Sequence, residues 1–155
     1  GLKEMDPRPI EAAIREEIER VRPDVVSTYA VHGISGFHDH LVGHAALKRV
    51  FIEMTDDGAD YLRRMAFTTV DQEEAEAFEE LSGWHLNYSK PEEIDCVLEV
   101  SEEDIRTFQA ALDCYVTYKD VIEETGEREN TRRHVPFEFF REDFDPPVDD
   151  VFFGL

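Results

Sequence analysis

Four of the six histidines, His32, His38, His40 and His44, fall within thirteen residues of one another. Imidazole is the commonest side-chain ligand for transition metals, so this density suggests a metal site. On a helix, residues four apart lie about 40° apart around the axis. His40 and His44 would then project from neighbouring turns of one face and could chelate a single ion. His38 lies about 200° from His40 and cannot join them. A third ligand would come from His32 at the end of a preceding strand, from His85, or from Glu53, with Asp39 orienting a ring from behind. Imidazoles of this kind suit Zn, Ni or Fe, and the residues do not choose among these divalent transition metals. The stretch is not an HExxH motif, because Leu41 stands where the glutamate is required. No ExxH partner for a di-iron bundle occurs either. The competing reading is structural: His44 shares a helical face with Phe37, Leu41 and Phe51, and a histidine there is expected to be hydrogen-bonded within a core.

Other catalytic signatures are missing. The sequence holds no GxSxG, no P-loop and no GxGxxG, which removes the usual anchors of hydrolase and nucleotide-binding chemistry. Cys96 and Cys114 are the two cysteines and form no CxxC pair. Both sit among apolar neighbours and are expected to be buried, reduced thiols. With 37 acidic residues, paired carboxylates carry no signal. The tightest basic cluster, Arg132-Arg133-His134, is expected to offset acids of its own segment. No residue is assigned a catalytic role.

The elements that would position these residues read as follows. Pro9 to Val21 has Ile10, Ala13, Ile14, Ile18 and Val21 on one side and predicts an amphipathic helix ended by Pro23. Val25 to His32 is rich in β-branched and aromatic residues and predicts a strand. Ser35 could cap a helix through His38, His40, His44 and Leu47. Val50–Thr55 and Ala59–Val70, joined by Asp56-Asp57-Gly58, read as a hairpin or as two helices. Asp71-Gln72-Glu73-Glu74 caps a helix that Gly83 stops after Ser82. Trp84–Tyr88 and Ile94–Val100 look extended. Ser101-Glu102-Glu103-Asp104 opens a long helix with Ile105, Phe108, Leu112, Tyr115, Val116, Tyr118 and Ile122 inward and Gly126 at its end.

The order strand-helix-strand-strand-helix-strand predicts an α+β ferredoxin-like sandwich, with an N-terminal helix, a long C-terminal helix and an irregular tail. An all-α helical bundle is the alternative. Residues 1–126 read as a single globular domain. Residues 127–155 read as a Pro- and Phe-rich acidic tail packing on its own domain or on a partner subunit. Six of the eleven phenylalanines lie there: Phe137, Phe139, Phe140, Phe144, Phe152 and Phe153.

Sixteen basic residues stand against the 37 acidic ones, for a formal charge of −21 in a chain of 155 residues. Only four of the basic residues are lysine, and the acids are dispersed. At molar salt the Debye length falls to about 3 Å, so like charges barely repel. The composition therefore resembles that of proteins from salt-accumulating halophilic archaea, and it implies a cytoplasmic home. Nucleic acid is a disfavoured partner at this charge. The stretch between Asp24 and Asp39, free of Asp, Glu, Lys and Arg, is shorter than the roughly 18 apolar residues of a membrane span. The first residues show no secretory-signal pattern, and Gly1 in place of Met fits a trimmed start.

No family-specific motif emerges. The expected function is therefore that of a soluble domain working through self-association or a protein partner, a homo-oligomer or hetero-partner contact using the phenylalanines of the tail. The alternative is a metal-binding protein or metal-dependent enzyme using His40, His44, His32 and His85.

Overall fold

The computed structural model describes residues 1–129 and 131–155. Five α-helices and a four-stranded mixed sheet follow in the order α1 (Pro7–Val21), β1 (Val25–Tyr29), α2 (His38–Asp56), β2 (Arg64–Thr68), α3 (Gln72–Ser82), β3 (Cys96–Glu99), α4 (Glu102–Leu112), α5 (Lys119–Thr125) and β4 (His134–Phe139). No helix of the described residues is long and apolar enough to cross a membrane.

Local chemistry explains the helix ends. Asp6 accepts the amide of Arg8 ahead of α1, and Asp71 accepts that of Glu74 ahead of α3. Ser101 and Asp104 form a reciprocal capping box at α4. Gly83 ends α3 in the left-handed conformation, donating its amide to Glu79.

The sheet order is β1-β2-β4-β3. β1 and β2 are adjacent and parallel, joined through α2, while β4 runs antiparallel to both β2 and β3. A ferredoxin-like sandwich needs two interleaved split βαβ units. β4 does lie between the parallel strands β2 and β3, but β1 and β2 are immediate neighbours, so that arrangement is not confirmed, and an all-helical bundle does not describe a chain with this sheet.

Three expectations change for identifiable reasons. Val50–Thr55 is not a hairpin arm but the second half of α2, because Leu47, Val50, Phe51 and Met54 fall on one helical face and enter the core together. A short apolar run cannot by itself be told from a strand. The long C-terminal helix breaks after Leu112, and α5 folds back. The Arg128 guanidinium pairs with Asp113 and donates to the Gln109 carbonyl, while the Gln109 amide donates to the Arg128 carbonyl. Tyr115, Val116 and Tyr118, expected inside, are exposed as a result, and Phe108, also expected inside, is exposed on α4.

The irregular course expected after residue 127 fails at His134–Phe139, which form β4 in the middle of the sheet. Pro136 argues against a central strand, since it cannot donate to a ladder. It is tolerated because it sits one residue past the end of β2: its carbonyl accepts the Thr69 amide, and the Thr69 carbonyl, which would face its missing N–H, takes the Arg132 guanidinium instead.

Side chains alternate across the sheet. On one face Met65 and Phe67 meet Ile18 of α1 and Leu47, Val50, Phe51 and Met54 of α2. On the other, Ala66, Cys96 and Phe139 are covered by Phe144, Val148 and Val151 of the last segment. Arg64 of β2 fastens that segment. It is only 2% exposed and grips both carboxylate oxygens of Glu142 at 2.8 and 2.7 Å. It also donates to the carbonyls of Val151 and Phe153, and its guanidinium lies 4.3 Å from the Phe139 ring. Asp95, also buried, accepts the amides of Phe139 and Phe144.

Removing the buried guanidinium leaves the Val151 and Phe153 carbonyls without their donor and Glu142, itself 31% exposed, without its partner, a loss of charged hydrogen bonds that costs about 1.5–3 kcal/mol. Arg64→Ala is therefore expected to lower the unfolding free energy by about that amount, read by urea denaturation. A loss under about 1 kcal/mol, as for a surface pair, would show that this cluster does not hold the C-terminal segment.

Candidate functional site

The strand directions gather the connections at one end of the sheet. The chain leaves β1, β2 and β3 at this end and enters β4 there, because β4 alone runs the other way. Ligands of open α/β sheets bind outside the carboxyl ends of parallel strands, where diverging loops leave a crevice. A groove of about 1180 Å³ opens here. Glu74, Ala77, Phe78 and Leu81 of α3 form one wall at helical spacing. Phe108 and Leu112 of α4, Val121 and Ile122 of α5, and Tyr115 and Tyr118 between them form the other. The floor is Tyr29, Ile34, Trp84 and Leu86, beside Phe37 and His40. Ile34, Val70 and Ala75 pack beneath it with Tyr29 and Leu86.

The β1–α2 loop is held tightly at this floor. Gly33 has φ 67°, and a Cβ there would lie 2.9 Å from Leu41 Cδ2 and 3.2 Å from His40 Cβ, so a side chain would be both strained and crowded. Ser35 does not cap α2. Its hydroxyl lies 3.2 Å from His40 Nδ1, and the helix starts after Phe37 with no side-chain cap.

The four histidines named as ligands are each engaged elsewhere. His40 Nδ1 lies 2.9 Å from the Gly33 carbonyl, and its ring stacks on Tyr29 at 3.8 Å with planes 9° apart. His44 Nδ1 lies 2.8 Å from the Tyr29 carbonyl, and its ring leans on Phe67. His32 Nδ1 accepts the Ile34 amide, and His85 Nδ1 pairs with Glu79. They do not come together as three donors. Among the described residues, the one group of three ligand-type side chains whose donor atoms lie within 4.8 Å of one another is Asp71, Glu74 and His134. Asp71 and Glu74 read from sequence as a helix start, and His134 lies more than sixty residues away, so no spacing marks the set in advance.

His32 belongs to a buried polar chain. Because its Nδ1 accepts an amide proton, the neutral ring carries its own proton on Nε2, 3.3 Å from Ser89 Oγ and 3.4 Å from Thr69 Oγ1. Ser89 in turn donates to Glu138. The proton on Nε2 leaves His32 unable to act as base toward Ser89, which is itself 1% exposed. The chain is a satisfied network and not a nucleophile with its base.

The basic cluster meets acids of the helices and not of its own segment. Arg132 Nε bonds Glu74 at 2.8 Å, Arg133 pairs with Glu102, and His134 Nε2 lies 3.1 Å from Asp71. Of the tail phenylalanines, Phe139 is buried, and Phe137, Phe140 and Phe144 pack against the cores. Phe152 and Phe153 are exposed. Cys96 is buried, and burial pushes its thiol up to about 11. Cys114, expected inside, is exposed because it follows the end of α4.

Compared with known proteins, the sequence matches no family model, and no curated protein matches it. Function must therefore be argued from this geometry.

Burial holds the His44 and His32 imidazoles below the ordinary histidine value of 6.5; Lys48 adds to this at His44, while Glu93 opposes it at His32. Below 6.5 the unfolded chain then binds more protons than the folded one, so stability falls as pH drops through this window. Burial acts oppositely at Glu138, raising its carboxyl above the ordinary 4.5, so this group gains stability as pH falls toward 4.5. Urea unfolding at a series of pH values is expected to show a flatter loss between pH 6.5 and 5 in His44→Asn, which keeps a donor for the Tyr29 carbonyl, and a steeper one in Glu138→Gln. Parallel profiles for wild type and His44→Asn would contradict this.

Proposed function

We propose that the protein is a non-catalytic binding domain whose groove takes an apolar-faced, basically flanked segment of a partner protein. The observation that carries this reading is the clustering of exposed apolar side chains on the groove. Phe37, Leu81, Phe108, Tyr115 and Tyr118 are all exposed and all line it. Scattered surface apolar residues need no explanation, but a contiguous set around a concavity marks an interaction site. The volume exceeds the range of about 300–1,000 Å³ usual for small-molecule pockets, which favours a peptide segment.

Charge selects the kind of segment. α3 carries Glu73, Glu74, Glu76, Glu79 and Glu80, and α5 carries Asp120, Glu123 and Glu124. Arg132, the cation in the lining, is already bonded to Glu74. A second copy of the chain would bring the same acidic rims against these, whereas an amphipathic helix flanked by Lys or Arg would complement them. The dispersed acidity and scarcity of lysine support a salt-rich archaeal cytoplasm as the setting, where a Lys or Arg flank contributes only through direct contact with the rim carboxylates.

Trp84, the single tryptophan, lines the groove and reports its occupancy. A synthetic amphipathic peptide with a Leu/Phe face and Lys flanks is expected to shift Trp84 emission to the blue and saturate. Phe108→Asp should weaken it at least about tenfold, a loss of the size that truncating an interface anchor produces. The same apolar face with Glu flanks should bind poorly. If neither peptide perturbs Trp84, the reading fails. If sedimentation shows a dimer that Phe108→Asp dissolves, the groove is a self-association surface instead.

A further inference from the structure

We propose that Asp71, Glu74 and His134 bind one divalent first-row transition cation where β2 gives way to α3 and β4 begins. The site is separate from the four histidines clustered in sequence and does not rest on the partner reading above.

Backbone placement comes first. Asp71 is the N-cap of α3 and Glu74 lies in its first turn, so their carboxylates share one end of the helix. His134 opens β4, whose antiparallel course beside β2 delivers it to the same end of the sheet. The three side chains each offer one donor atom, all within 4.8 Å of one another. His134 Nε2 and Asp71 Oδ2 are 3.1 Å apart. Two ligands of a tetrahedral ion, with bonds near 2.1 Å, lie about 3.4 Å apart. The hydrogen-bonded pair would have to open by only about 0.3 Å to serve as neighbouring ligands.

The second observation is at Glu74. Its Oε1 accepts Arg132 Nε at 2.8 Å, while Oε2 is buried with no hydrogen-bond partner among the described residues. Buried polar atoms are nearly always paired, and an orphan of this kind points to an unseen partner. A cation between the three side chains would supply it. The local charge allows one: Asp71 and Glu127 act on the Glu74 carboxyl as negative charges and Arg132 and His134 as positive ones, and with His134 neutral as a metal ligand three carboxylates face the one guanidinium. The rival occupant of Oε2 is a proton, favoured by burial.

Two carboxylates and one imidazole form a mixed oxygen and nitrogen set, suited to Zn²⁺, Mn²⁺ or Fe²⁺ and less to Cu⁺, which wants thiolate, or to Ca²⁺ and Mg²⁺, which want oxygen alone. Such an ion would tie the start of β4 to α3, a structural role that the Asp71–His134 hydrogen bond fills without it.

The test is titration of the full chain, purified without a polyhistidine tag, with Zn²⁺ in 1 M KCl, which screens loose binding to exposed carboxylates. The expected result is one saturable equivalent, with the His134 imidazole nitrogen resonance moving and those of His40 and His44 staying still. Glu74→Gln and His134→Ala should each weaken binding by at least about tenfold. No saturable binding, a shift confined to other histidines, or wild-type affinity in Glu74→Gln would overturn the proposal and leave Oε2 to a proton. Should His134→Ala fail to fold, the resonance assignment on the native chain decides alone.

Discussion

A guanidinium cannot stay in the interior of a sheet without partners for its charge and its donors, and Arg64 is buried to 2% exposure. Those partners, Glu142 and the carbonyls of Val151 and Phe153, all come from the last fourteen residues, 78 to 89 positions away in the chain. The final segment must therefore return to the sheet for β2 to be buried. That return lays β4 between β2 and β3 and covers the second face with Phe139, Phe144, Val148 and Val151. The apolar residues after Gly126 are thereby largely used up inside the fold.

This determines where the molecule can still offer apolar surface. α1 and α2 cover one face of the sheet and the C-terminal segment covers the other. The hairpin of α4 and α5, set by Arg128 against Asp113 and Gln109, leaves Phe108, Tyr115 and Tyr118 facing α3 across an open groove. The carboxyl ends of β1 and β2, a binding crevice by general topology, floor the same groove. Shape, exposed aromatic rings and acidic rims coincide at one end of the sheet.

Much of this was legible in local signals. The caps at Asp71 and Ser101, the stop at Gly83, the proline-led α1 and the β-branched run of β1 each act within a few residues, and local chemistry decided them. What could not be read depends on contacts distant in sequence. Pro136 argues against a central strand until the end of β2 is known. The break after Leu112 has no proline or glycine to announce it, and the contacts that join its two sides, Arg128 with Asp113 and Gln109, span fifteen residues or more. The histidine cluster shows residue types without partners. Its density suggested a metal, but Gly33 and Tyr29 carbonyls claim His40 and His44. The donors that do converge, Asp71, Glu74 and His134, look in sequence like a cap and a stray basic residue.

Whether the C-terminal segment is interior structure or a free docking arm is decided most directly by native-state hydrogen exchange. The amides of Phe137 and Phe139 in β4 should exchange only with global unfolding, at the same free energy as those of Met65 and Phe67 in β2. Rapid exchange in β4 beside a protected β2 would mean that the segment leaves the sheet readily. Its phenylalanines would then be free to serve as the contact surface, and the groove would lose its claim to be the exposed apolar site.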